Sequence, residues 1–93
     1  MILLLVGCLG YTEGQVQRGE RSCEWLDVCG ELGTVGFTDV GECKSAAAAQ
    51  PYDDADCPEY DPKAMRTCID AYDSAIAAAD CGADFATACL VCG

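Results

Sequence analysis

Asp61-Pro62-Lys63-Ala64-Met65-Arg66-Thr67-Cys68-Ile69-Asp70-Ala71-Tyr72-Asp73-Ser74-Ala75-Ile76 is the stretch from which the fold is read. Aspartate before proline is a helix start: the carboxylate accepts from orphan backbone N–H groups, and proline at the first helical position gives up an N–H that has no partner there anyway. Met65, Cys68, Ile69, Tyr72 and Ile76 then recur at three- and four-residue intervals, with Lys63, Arg66, Asp70, Asp73 and Asp80 largely opposite. That is the period of an amphipathic helix burying one stripe. Cys81-Gly82 supplies a stop with glycine available for a left-handed cap. Beyond it Phe85, Ala88, Cys89 and Cys92 repeat the spacing, so residues 61–92 predict a C-terminal αα-hairpin and the chain an all-α fold.

Working outward towards the N-terminus, Pro51-Tyr52-Asp53-Asp54-Ala55-Asp56-Cys57-Pro58-Glu59-Tyr60-Asp61 carries two prolines, five acids and no base. It reads as a turn-rich acidic connection. Before it, Thr38 or Asp39 caps a helix running through Cys43 to the alanine run 46–49, ended by Gln50-Pro51 because the residue before proline is pushed out of the helical region. Trp25, Val28, Cys29 and Leu32 predict a further helix starting near the cap Ser22 and stopping at Gly33. Residues 9–21 (LGYTEGQVQRGER) contain three glycines and mixed charges without an apolar period. They read as a flexible tether, which as a coil would span about 20 Å.

The chain has nine cysteines in 93 residues, a density at which a small exported chain is read as a disulfide scaffold. Nearly half of the 52 % hydrophobic content is alanine and cysteine, and large apolar side chains are few. A core of that size in about 70 residues supplies roughly 3 to 5 kcal/mol, so covalent staples are needed. The predicted class is therefore a small disulfide-rich helical domain over residues 22–93. Its bridges would draw on Cys23, Cys29, Cys43, Cys57, Cys68, Cys81, Cys89 and Cys92. Measured from the turn at 81–82 at 1.5 Å per helical residue, Cys68 lies about 20 Å down one arm and Cys92 about 16 Å down the other, which selects Cys68–Cys92 as the one pairing to expect. The remaining six stay unranked.

Cys8 makes the count odd, and it follows Leu5-Val6-Gly7 at the end of an apolar run. This tetrapeptide resembles the lipobox of bacterial lipoproteins. The resemblance implies that Cys8 receives diacylglycerol, that residues 1–7 are the remnant of a signal peptide, and that acyl chains on Cys8 hold the protein to a membrane. Eight cysteines are then left for bridges. The run 1–7 has no basic segment, so a translation start further upstream is expected to supply it. An ordinary secretory signal cut without lipidation, or a structural apolar N-terminus, is the alternative reading of Ile2–Val6. Leu9, directly after the cysteine, resembles the residue found in lipoproteins sorted to the outer membrane, an expectation that holds for a Gram-negative host.

Net charge of −11, from 16 acids against five bases, argues against nucleic acid as a partner, because phosphate backbones require clustered Lys and Arg. Cys89-Leu90-Val91-Cys92 has the spacing of a redox dithiol or half a zinc site, but it stands alone in the last turn of the chain, and a structural role is expected. The acids Asp53, Asp54, Asp56, Glu59 and Asp61 could ligate calcium, yet they lack the glycine and terminal glutamate of an EF-hand loop. With no histidine, no asparagine and only Ser22, Ser45 and Ser74 as hydroxyl nucleophile candidates of the serine type, no triad can be assembled. Asp70 and Asp73 share the polar face of a helix, as solvation alone would place them. The expectation is a non-enzymatic protein without metal or cofactor: an exported, membrane-anchored binding or structural module of the cell envelope, with any partner surface around Trp25, Tyr52 and Tyr60. A secreted disulfide-rich inhibitor or toxin-like effector without an anchor is the alternative.

Overall fold

A computed structural model describes residues 9–92, and these are all-helical and stapled by four disulfides. Helix α1 spans Tyr11–Val28, α2 Val40–Ala49 and α3 Pro62–Ala78, with short 3-10 turns at Gly33–Val35 and Asp54–Asp56. α1 is central. α3 runs parallel to it, since Gly14 lies against Tyr60 and Met65, Arg21 reaches Asp73, and the Trp25 indole N–H donates to the Asp80 carbonyl at 2.8 Å. α2 runs antiparallel on another side, with Gly19 against Ala47 and Cys23 bonded to Cys43.

The caps of α2 and α3 follow from their sequences. Asp39 accepts from the Glu42 N–H at 2.8 Å, while Glu42 reaches back to accept from the Thr38 N–H at 2.7 Å. Asp61 accepts from the Lys63 N–H at 2.9 Å with Pro62 opening the helix. α3 ends sooner than Cys81-Gly82 suggests: Ala79 takes the left-handed position with φ of 50°. Likewise α1 stops at Val28, and the chain turns there through Gly30 with φ of 69°.

The tether expected over residues 9–21 is instead an ordered part of the packed fold. Leu9 is in the core and Tyr11–Arg21 is the first half of α1. The glycines that suggested a coil are sites of close approach. A Cβ on Gly14 would stand 2.8 Å from both the Met65 side chain and the Tyr60 hydroxyl oxygen, and one on Gly19 would stand 2.8 Å from the Ala47 Cβ. Each glycine costs a helix about 1 kcal/mol in propensity. Here that cost is offset by letting α3 and α2 pack directly on the α1 backbone.

The second arm of the C-terminal hairpin is not a helix. Residues 83–92 form a series of turns folded back over α3, pinned where the Asp61 N–H donates to the Val91 carbonyl at 2.9 Å. The bridge Cys68–Cys92 fails for that reason, because its argument used a helical rise along both arms. Cys68 pairs with Cys89 and Cys92 with Cys57.

Two apolar clusters result. Leu9, Met65, Cys68, Ile69 and Val91 form one between α1, α3 and the tail, flanked by Tyr60, Ala64, Tyr72 and Cys89. Cys23, Leu32 and Cys43 form the other between α1, α2 and the 29–39 connection, flanked by Leu26, Phe37 and Val40.

Candidate functional site

Part of the chemistry expected at the acidic connection, and the cysteine pair of the tail, is taken up by structure. Asp53 accepts from the Ala55 N–H at 2.9 Å and Asp61 caps α3, so two of the five acids fix local backbone. Among the described residues no three His, Cys, Asp or Glu side chains stand close enough to hold a metal ion. Cys89 and Cys92 belong to two different bridges, which closes the dithiol reading of the C-x-x-C pair. Of the paired acids on α3, Asp73 holds Arg21 at 2.8 Å.

The remaining bridges are Cys23–Cys43 and Cys29–Cys81, so the eight cysteines from Cys23 onward pair completely among themselves. They differ in burial. Cys23 and Cys43 are enclosed, whereas Cys81 is exposed and its bridge to Cys29 ties the end of α1 to the end of α3 across 52 residues of sequence. Cys8 lies outside the described residues.

The aromatic side chains expected to offer a partner surface are engaged internally. Trp25 packs edge-on against Phe85 at a centroid distance of 5.1 Å, and Phe85 stacks on Tyr72 at 3.8 Å. Tyr52 donates to the Ala47 carbonyl at 3.1 Å. Tyr60 donates to the Leu9 carbonyl at 2.8 Å and lies edge-on to Tyr11 at 5.4 Å. These contacts use the polar tip of each ring to close an element, as buried Tyr and Trp tips generally must.

Around Tyr60 lies an open cleft of about 470 Å³, lined by Leu9, Gly10, Tyr11, Asp54, Pro58 and Pro62 together with Tyr60 and Cys57. Its floor is built by three segments distant in sequence: the entry to α1, the acidic connection, and the first turn of α3. The Tyr60 phenol is held above its ordinary value of 10.0, first by desolvation and then by the Asp61 and Glu13 carboxylates, with the Arg66 guanidinium pulling the other way. It is a neutral donor at physiological pH and offers no base. The cleft presents rings, prolines and one exposed carboxylate, Asp54.

Sequence reasoning singled out Tyr60 as part of a partner surface but missed Leu9 as the residue that meets it at this pole. The available signal was slight: an isolated leucine before a glycine. No protein-family profile, no curated protein and no solved structure matches this chain. No helix among the described residues is long and apolar enough to cross a membrane.

Proposed function

We propose that the chain is an exported lipoprotein, attached to the membrane through acyl chains on Cys8 and acting as a non-enzymatic binding or structural module of the cell envelope. One observation carries the reading. Four bridges use eight of the nine cysteines, and the ninth by count is the one in the lipobox-like Leu5-Val6-Gly7-Cys8. Disulfides at this density persist in oxidising compartments, which agrees with export. Five of the acids hold structure: Asp39, Asp53 and Asp61 in helix caps and turns, Glu24 and Asp73 in ion pairs.

The alternative, a secreted disulfide-rich inhibitor or effector without an anchor, gains from the burial of Leu9. A domain that is folded from Leu9 onward has the form expected of a free-standing stapled protein. The intact mass of the protein from host membranes, taken before and after reduction and alkylation, decides between them. Loss of residues 1–7 with added acyl mass, and eight cysteines alkylated only after reduction, is the expected result. An unacylated chain recovered from the medium overturns the anchored reading, and thiols alkylated without reduction overturn both.

A further inference from the structure

Resting on the lipoprotein reading, we infer that the domain is not displaced from the membrane on a leash but is seated against the lipid headgroups by one defined pole, the Leu9–Tyr11 and Asp54–Pro62 surface around Tyr60. The geometry is simple. Leu9 is only 6 % exposed and its carbonyl accepts from the Tyr60 hydroxyl at 2.8 Å, so the fold is already rigid one residue after Cys8. Consecutive Cα atoms are about 3.8 Å apart, which leaves a single peptide unit between a lipidated cysteine and the core. A coil of 13 residues would give about 20 Å of slack; the helix that occupies those positions gives none.

The surface that this attachment presses towards the bilayer has suitable chemistry. Tyr11 and Tyr60 pack edge-on and, with Pro58 and Pro62, line the open cleft beside the attachment point. The Tyr60 hydroxyl is committed to the Leu9 carbonyl, and the half-buried Tyr11 ring beside it is of the amphipathic kind that favours the headgroup level. The acids of the same pole, Asp54, Asp56, Glu59 and Asp61, would be repelled by anionic lipid. The seat therefore depends on the covalent anchor and is stronger on zwitterionic than on anionic headgroups.

Distance from the pivot gives the test. Asp54 lines the cleft next to Leu9, whereas Thr34 lies beyond the far end of α1, whose 18 residues span about 27 Å. A body that tilts freely about Cys8 brings residue 34 to the bilayer surface as well as residue 54; a seated pole keeps residue 54 close and holds residue 34 away. Both are exposed, so a fluorescent amino acid encoded at either position leaves the core untouched. The full acylated protein is reconstituted into phosphatidylcholine vesicles carrying a headgroup-linked quencher.

The expected result is loss of fluorescence at position 54 and little loss at 34. A 13-residue Gly-Ser insertion between Cys8 and Leu9 should abolish the difference. Equal quenching at both positions in the uninserted protein, with acylation verified by mass, overturns the seated pole while leaving the lipoprotein reading intact. A mass without acyl groups overturns both. Repeating the measurement with added phosphatidylglycerol should weaken the quenching at 54, and an increase instead would overturn the zwitterionic preference.

Discussion

The two halves of the molecule hold together differently. Between α1 and α3, Met65, Cys68 and Ile69 are completely shielded, and the four largest fully buried side chains, Met65, Ile69, Cys57 and Cys68, all lie in this half. Between α1 and α2 the facing residues are Gly19 and Ala47, and the enclosed side chains are the two cysteines of a bridge with Leu32 from the connection beside them. Where the sequence supplies long apolar side chains, a core forms and the bridges Cys57–Cys92 and Cys68–Cys89 pin an irregular tail over it. Where it supplies alanine and glycine, a disulfide takes the place of the core. Cys29–Cys81 then ties the two halves to each other.

The largest effect that separates the halves is reduction. The bridges close sequence separations of 20, 21, 35 and 52 residues. On the chain-entropy account each contributes about 3 to 4 kcal/mol, against roughly 3 to 5 kcal/mol expected from a core of this size. Complete reduction should abolish the helical far-ultraviolet circular dichroism signal. During partial reduction, hydrogen exchange should show α2 amides losing protection before those of α3; the reverse order would mean that α2 has a core of its own.

Core truncation is the next lever. Ile69→Ala should destabilise by about 2 to 5 kcal/mol, because its site is enclosed by α1, α3 and the tail and cannot collapse. Leu32→Ala should fall at or below the lower end of that range, since Leu32 sits in a small cluster with Phe37 and Val40 still partly exposed. Denaturant titration of the two oxidised variants measures the difference, and equal losses would erase the distinction between the halves.

The smallest effect concerns the pole. Tyr60→Phe removes the hydroxyl that holds the Leu9 carbonyl and should cost about 1 kcal/mol. The same bond makes stability depend on pH. Because the folded-state value of the phenol is raised above the unfolded one, the neutral form favours folding: its contribution is fully present below the unfolded value of 10.0 and is lost as pH rises through the folded value. Chemical denaturation between pH 8 and the alkaline limit, over about the range in which tyrosine ionises, should show a decline in the parent that is absent in Tyr60→Phe. A parallel decline in both would show that other groups carry it.

Much of the fold is legible in local sequence. Asp61-Pro62 and the stripe from Met65 to Ile76 specify α3, and Asp39 specifies the start of α2, because caps and amphipathic period are short-range properties. The C-terminal arm shows the limit of that reasoning: Phe85, Ala88, Cys89 and Cys92 have helical spacing, yet two bridges and the Asp61–Val91 hydrogen bond hold the segment in turns. Of the cleft, Tyr60 and Asp54 stand out in the sequence, one as an aromatic and one as an acid of the connection. The cleft itself is assembled from residues about 50 apart, Leu9 and Gly10 with Tyr60, and no local pattern announces such a meeting.

By itself, then, the sequence determined that the protein is acidic, helical and dependent on an oxidising environment for its staples, since charge, periodicity and cysteine count are properties of composition and near neighbours. Tertiary structure alone decided which cysteines pair, and that residues 11–21 are a helix. A glycine that loosens an isolated chain becomes, once Met65 and Tyr60 or Ala47 approach within contact distance, the residue that lets two helices touch. Whether glycine means freedom or close packing depends on what arrives from elsewhere in the chain.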